Sequence, residues 1–238
     1  MWGRISRSAR PDQARNETLV KVEIWSDVVC PWCYIGKRRF EAALARFEHA
    51  GAVEVEYRSF QLDPSAPRRF GMNSDAMLAQ KYGMSLARAQ EMHTTVTQLA
   101  AAEGLAYRFD LARPGNTFDA HRVLQLATER GLQHAAWERF YRGYFIEGEP
   151  IGDHEALVRM ATDVGLDGAE VQAVLAGDAY ADAVRADLDQ AAAFGITGVP
   201  FFVLDRKYGV SGAQPAGVIL QALEQAWAER AVVPQAAN

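Results

Sequence analysis

Long apolar runs are missing from this 238-residue chain. None approaches the roughly 18 consecutive apolar residues that a membrane-spanning helix requires, so no membrane partner is expected. A basic stripe is missing too. The formal charge is −5, with acidic and basic residues interspersed, which argues against a general nucleic-acid binder. Arg4, Arg7, Arg10 and Arg15 load the N-terminus with positive charge, but no apolar segment follows them as it would in an export signal. Residues 1–18 are therefore expected to form a disordered tail, and the protein is expected in the cytoplasm. Cysteine is scarce, with Cys30 and Cys33 the only two in the chain. In a reducing compartment a structural disulfide between them is not expected. The five histidines, His49, His93, His121, His134 and His154, are scattered without ligand spacing. A zinc site, which needs four ligands, is therefore not expected. No internal repeat and no low-complexity segment is present.

What remains is an ordinary globular composition, 49% hydrophobic and 23% charged, with ample material for a core. Val20-Lys21-Val22-Glu23-Ile24-Trp25 alternates as a half-buried strand does. A helix is expected from Pro31 to about His49, where Phe40, Leu44 and Phe47 recur at helical spacing and Gly51 marks the stop. Val53, Val55 and Tyr57 alternate with charged residues to give a second strand. The resulting β-α-β unit places its two strands parallel. Asp63-Pro64-Ser65-Ala66-Pro67 then breaks the pattern. Helical signals follow for over a hundred residues: caps at Asn73 or Ser74, Ser85, Asn116 or Thr117, and Asp153, with Asp167 and Glu170 spaced as in a capping box. Leu105–Phe109 reads as extended. After Gly195 the β pattern returns, with Phe201–Leu204 as a strand buried on both faces, a short return strand at Val210-Ser211, and a last helix carrying Val218, Leu220, Leu223 and Trp227. The reading is an α/β domain formed by residues 19–62 and 195–231, with an all-helical insertion at 63–194 and a C-terminal tail at 232–238.

Cys30 and Cys33 sit where the first strand turns into the first helix. Only a thiolate attacks a disulfide, and an ordinary thiol is mostly protonated at neutral pH. Cys30 stands just before the helix, where unpaired N–H groups and the helix dipole favour negative charge. Pro31 suits the first turn because its missing N–H would have no partner there. Cys30 is thus expected to be acidified, within roughly 3.5–7.5 for such motifs, and to act as nucleophile. Cys33, one turn further in, is expected to be buried, less acidic, and the thiol that resolves the mixed disulfide. The dithiol is itself the redox centre, so no bound cofactor is expected. A second element is Val199-Pro200. A proline opening a buried strand is a candidate for a cis bond, an ordinary edge proline being the alternative. A cis bond there would present the Val199 backbone to an extended substrate. Pro31, Trp32, Val199 and Pro200 are the candidate substrate-contacting residues.

Together, Ser26 through Gly36 with its Cys30-Pro31-Trp32-Cys33, Asn116-Thr117 with Ala120-His121-Arg122, Gly198-Val199-Pro200-Phe201-Phe202 and Ser211 through Pro215 resemble the DsbA-like thioredoxin-fold family. Within it the chain looks most like the FrnE-type branch of thiol-disulfide oxidoreductases or isomerases. The resemblance runs from about Val20 to Trp227. It implies a thioredoxin fold interrupted by helices, Cys30 as nucleophile, Pro200 as the cis-proline, and protein disulfides or small thiols as partners. It also implies a buried acid on the strand before the dithiol that helps move the Cys33 proton, for which Glu23 is the candidate. Trp32 replaces the histidine of the strongly oxidising relatives, implying a weaker oxidant. Kappa-class transferases and hydroxychromene-carboxylate isomerases are similar in overall order and use glutathione as co-substrate, but usually lack the second cysteine. In them the region of Asn116, Thr117, His121 and Arg122 lies over the active site. Here an N-cap followed by a solvated face is the simpler expectation. Met72, Met77, Met84 and Met92 are expected in the core, with an adaptable surface for unfolded clients, as in a chaperone-like module, the alternative. The aromatics from Trp137 to Phe145 are expected on a buried helix face.

Overall fold

Alternation along the first strand places Val20, Val22 and Ile24 on one face and Lys21, Glu23 and Trp25 on the other. The computed structural model describes residues 19–230; the tails expected at 1–18 and 232–238 lie outside them. In it Val20–Ser26 is β1, buried at every position except Lys21. Its burial follows from its central place in the sheet, whose order is β2-β1-β3-β4. β2 (Val53–Ser59) runs parallel to β1, with Val20 opposite Val53 and Ser26 opposite Ser59. β3 (Phe201–Leu204) lies antiparallel on the other side, with Trp25 opposite Phe201 and Val22 opposite Leu204. β4 (Tyr208–Ser211) completes the sheet.

The two faces are covered differently. On the Val22 and Ile24 face lie α1 (Pro31–Leu44) and α9 (Ala216–Arg230), which join Phe40, Phe202, Ile219 and Leu223 in the main core. The rings of Phe40 and Phe202 stack at 5.8 Å. On the opposite face Trp25 packs with Ala191, Ile196 and Val203, and its Nε1 donates to the Asp187 carbonyl at 3.0 Å. Between β2 and β3 the chain forms seven α-helices among the described residues: α2 (Ser74–Tyr82), α3 (Leu86–Ala102), α4 (Phe118–Glu129), α5 (Gln133–Arg142), extended by a π-helical turn at Gly143–Glu147, α6 (His154–Asp163), α7 (Gly168–Ala176) and α8 (Ala181–Ala193). The caps lie where the sequence places them. Asn73, Ser85, Asp153 and Asp167 each accept a backbone N–H in the first turn of the helix that follows, and the Asn116 side chain accepts from Phe118 N.

Polar side chains tie these helices to the sheet. The Gln133 amide reaches the outer edge of β2, accepting from Tyr57 N at 3.0 Å and donating to Tyr57 O at 3.1 Å. It thereby satisfies edge groups that would otherwise be open to another strand. The Asp187 carboxylate accepts from Ser59 N at 2.9 Å and from Gln125 Nε2 at 2.7 Å, linking α8, β2 and α4.

Several expectations are corrected. α1 ends at Leu44 rather than near His49. Arg46 and Phe47 fold back onto Ala43 and Leu44 in tighter turns, which bring Phe47 and His49 against Trp227 at ring distances of 6.3 and 4.2 Å. Packing onto α9 outweighs helix propensity there. Leu105–Phe109 lies outside the helices and the sheet; it buries Leu105, Tyr107 and Phe109, and Arg108 N donates to Phe145 O at 2.7 Å. In α9 the inward positions are Ile219, Leu223 and Ala226, while Val218 is exposed. The face of α4 expected in solvent is buried at His121 and Arg122. Arg122 is drawn in because its guanidinium donates to the carbonyls of Ala179 and Gly177 at 2.9 and 2.7 Å. Met72 and Met92 are exposed rather than in the core. The aromatics Trp137, Phe140, Tyr141, Tyr144 and Phe145 are buried, as expected.

Phe202 is the fully buried side chain that joins β3 to α1. Phe202→Ala is expected to cost about 3–5 kcal/mol of unfolding free energy, measured by urea denaturation followed by circular dichroism.

Candidate active site

The end of β1 and the start of α1 are joined by a tight turn. Cys30 N donates to Asp27 O at 3.0 Å, and Cys33 N to Cys30 O at 3.0 Å. Cys30 is the N-cap of α1 in an extended conformation, and Pro31 occupies the first turn. Both thiols are free and buried. Because β1 pairs with β3 in the register Trp25 to Phe201, the turn after β1 faces the turn before β3. There the Val199–Pro200 peptide is cis, and the Cys30 thiol donates to the Val199 carbonyl at 3.4 Å. Gly36 permits this approach, since a Cβ on it would lie 2.8 Å from Pro200 Cγ. The structure thus brings together Cys30, Cys33, Pro31, Val199 and Pro200. Trp32 points outward and is 38% exposed.

The aromatic residues of the helical segment close over the first turn of α1. Tyr107 Oη donates to the Pro31 carbonyl at 2.7 Å, and Tyr34 stacks on Tyr141 at 4.9 Å. Behind them, Tyr34 Oη and Lys37 Nζ each bond the Glu138 carboxylate at 2.6 Å, and Arg38 pairs with it as well. Burial opposes ionisation of Glu138, but its bonds to Lys37, Tyr34 and Arg38 outweigh that and hold it below the usual carboxylate range. Tyr107 is not marked by a local motif. Tyr107 reaches Pro31 across 76 positions, a contact that only the packed chain creates.

Burial pushes the Cys33 thiol well up, and the neighbouring Cys30 adds to the effect. The Asp27 N–H and the Ser26 hydroxyl beside the sulfur work against it. Cys30, by contrast, borders a cavity of about 400 Å³. Trp32 and Val199 line it on the sheet side, and Met77, Met92 and Phe109 on the helical side. Two of the four methionines singled out in the sequence therefore face this cavity. Thr117 also lines it, whereas Asn116 holds the neighbouring loop by donating to Ala66 O at 3.0 Å. Among the described residues no group of three or more His, Cys, Asp or Glu is arranged to hold a metal ion, and no helix is long and apolar enough to cross a membrane.

Glu23 does not belong to this site. It is opposite Val203 in the sheet, whereas α1 packs on the Ile24 and Phe202 face. The odd position along β1 sends its side chain away from the dithiol. There it is clamped by Arg58 at 2.7 Å and Arg206 at 3.0 Å. Burial resists its ionisation, yet the two guanidinium groups leave its carboxyl below the usual range.

Comparison with known proteins places the fold and the site in context. The model of the DSBA-like thioredoxin domain matches residues 21–224. A crystal structure of a probable DsbA oxidoreductase from Streptomyces coelicolor is 54% identical, with a TM-score of 0.86, covering 92% of this chain and 94% of that one. The uncharacterized protein YwbO of Bacillus subtilis is 30% identical over 187 residues, or 78% of this chain and 86% of that protein. The cytosolic disulfide reductase DsbM from Pseudomonas aeruginosa, with GSH, shares the fold at 18% identity and a TM-score of 0.57, covering 88% of this chain and 96% of that one.

The clamp on Glu23 carries a pH signature. A carboxyl held below its unfolded value contributes stability above the unfolded pKa and loses it as pH falls through the folded value. Glu23→Gln is therefore expected to destabilise the protein by roughly 1.5–3 kcal/mol at neutral pH. That deficit should shrink as pH is lowered below about 4, as read from denaturation midpoints across pH. Disulfide exchange should be spared.

Proposed function

The chain belongs to the DSBA-like thioredoxin domain family, and from that membership we propose that it is a thiol-disulfide oxidoreductase working through Cys30 and Cys33. One observation carries the reading: two free thiols one helical turn apart, Cys30 beside a cavity and against the Val199 carbonyl, Cys33 shut away behind it. The Streptomyces coelicolor relative supports the same reading.

The chemistry follows from this asymmetry. Cys30 stands at the N-terminus of α1 and borders the cavity, where a substrate sulfur can reach it. As thiolate it no longer donates to Val199 O, so that carbonyl becomes available to a substrate backbone. A disulfide entering the cavity is attacked at one sulfur by Cys30, and the other sulfur leaves as a thiolate. Cys33 then attacks Cys30, forming the intramolecular disulfide and releasing the second substrate sulfur. Run backwards, the same steps oxidise a substrate dithiol. Substrates are protein disulfides or small thiols in the cytoplasm, glutathione among them as co-substrate. Trp32, Pro31, Val199 and Pro200 contact the substrate chain, while nucleic acid and membrane play no part. With Trp32 between the cysteines the protein is a weaker oxidant than its histidine-bearing relatives. Met77 and Met92, soft and adaptable, suit a cavity that must accept varied apolar groups beside the sulfur.

Cys30→Ser is expected to reduce insulin reduction and ribonuclease reshuffling to background. Cys33→Ser should accumulate a mixed disulfide with substrate that mass spectrometry detects. Full activity in Cys30→Ser would refute the proposal. Glutathione conjugation that survives Cys33→Ser would point instead to a transferase.

A further inference from the structure

The helical wall of the cavity carries a titratable pair that the exchange between the two cysteines leaves unused. Asp75, in the first turn of α2, faces His93 of α3, and its carboxylate is bonded to the ring Nδ1. A carboxylate oxygen only accepts, so Nδ1 carries the hydrogen and Nε2 presents its lone pair. The ring is held from a second side as well. It lies flat on Phe109, with ring centres 3.9 Å apart and planes 6° from parallel. Phe109 meets Tyr107 edge-on at 5.6 Å, and Tyr107 is bonded to the Pro31 carbonyl. His93 is thereby fixed, through Phe109 and Tyr107, to the residue that follows Cys30.

His93 and Cys30 line the same cavity of about 400 Å³. Cys30 belongs to its sheet side with Trp32 and Val199, and His93 to its helical side with Met92 and Phe109. The other ionisable groups around it are engaged. Lys81 of α2 pairs with Asp63 at 2.9 Å, and Asp63 also accepts from the Ser65 hydroxyl. Asp27 accepts from Leu62 N and lies beside His121. Tyr144 and Tyr107 are pushed up by burial and stay protonated. Arg108, next to Phe109 in sequence, pairs with Asp110 on the surface. His93 Nε2, by contrast, has no hydrogen-bond partner among the described residues and is not sealed inside the protein. An incoming thiol is mostly protonated at neutral pH, and only its thiolate attacks a disulfide. Exchange sets three sulfurs in a row, so an acceptor for the incoming thiol's proton belongs beyond the third, across the cavity from Cys30.

We infer that His93, oriented by Asp75, is the general base that takes the proton of a substrate thiol bound in this cavity. The inference rests on the reading of Cys30 and Cys33 as a redox dithiol. It begins from the form in which the two are joined as a disulfide. The substrate S–H bond breaks and its proton passes to His93 Nε2, leaving an imidazolium beside the Asp75 carboxylate. The substrate thiolate forms a bond to the Cys30 sulfur. The Cys30–Cys33 bond breaks, and its electron pair leaves on the Cys33 sulfur, which burial favours in its protonated form and which takes up a proton from water. The imidazolium returns its own proton to solvent at the cavity mouth. One electron pair has moved from the substrate sulfur to Cys33. In reverse, the imidazolium supplies the proton to a substrate sulfur that leaves Cys30, since imidazole both accepts and returns a proton.

Dithiothreitol serves as the substrate thiol in the test. The disulfide form is mixed with it and quenched in acid, and the free cysteines are counted by alkylation and mass spectrometry. Ellman's reagent gives the reference rate on the dithiol form, because its leaving thiolate needs no proton. His93→Phe keeps a ring on Phe109 but has no base. A free thiol is already a few per cent thiolate at neutral pH, so a base that ionises it in place gains roughly 10-fold. His93→Phe is therefore expected to lower the ratio of the dithiothreitol rate to the Ellman rate roughly 10-fold at neutral pH, and to regain it at alkaline pH, where dithiothreitol ionises by itself. Asp75→Asn, which removes the counter-charge of the imidazolium, should lower the ratio with the same pH dependence. A ratio unchanged in both variants, or lowered equally at every pH as a merely structural defect would do, overturns the proposal. The unmodified protein supplies an independent test. Its rate with dithiothreitol should rise only about twofold from about pH 7 to about pH 8, because the bound thiol is ionised in place. A full tenfold rise, which thiolate in solution follows, overturns the proposal as well. Absence of any release from Ellman's reagent in the unmodified protein would refute the redox reading itself, whereas normal release with an unaltered ratio in the variants refutes only the role of His93.

Discussion

Antiparallel pairing of β1 with β3 is the constraint on which the rest of this molecule depends. Trp25 lies opposite Phe201, so the turn leaving β1 and the turn entering β3 must meet above the same edge. The first carries Cys30 and the second carries Val199 and Pro200. The helix that follows Cys30 has to cross the sheet directly beneath the proline, which the missing side chain of Gly36 allows. A slip of one residue in this register would turn Ile24 and Phe202 out of the core and carry the dithiol away from Val199. The same interaction therefore closes the core and assembles the site.

The helices between β2 and β3 act on that site by enclosing it. Tyr107, Tyr141 and Phe145 pack around the first turn of α1, and α2 and α3 wall a cavity on the side where Cys30 emerges. The enclosure is unequal. One thiol borders the cavity, while the other is driven toward its protonated form by burial. A dithiol on a bare sheet edge would have no such division, because water would level the two environments. The helical segment also contributes His121, which reaches the Asp27 side chain from 94 positions away.

Polar groups inside the sheet are sorted by parity. Glu23 and Asp27 are both buried acids near the dithiol in sequence, and composition does not separate them. On the strand, position alone sends Glu23 to the face where Arg58 and Arg206 neutralise it. Asp27 stands past the strand's end, where the chain has turned and its side chain can face the cavity and α4. One acid is clamped within the sheet, and the other joins the loop after β2 to α4 through Leu62 N and His121.

Local chemistry made much of this legible from the residues. Alternation defines β1 and β2, short polar side chains mark the helix starts, and two cysteines at a strand-to-helix junction mark the reactive turn, because each depends on neighbours within a few positions. The resemblance to DsbA-like proteins supplied the thioredoxin order, which matches the sheet and the family. What the residues could not reveal is whatever rests on contacts between distant segments. The end of α1 is set by Trp227, the burial of His121 by its bond to Asp27, the exposure of Met92 by the cavity, and the face of Glu23 by a register that one residue inverts. Burial and side-chain direction are properties of the packed chain, and they decided which of the marked residues surround the sulfur atoms.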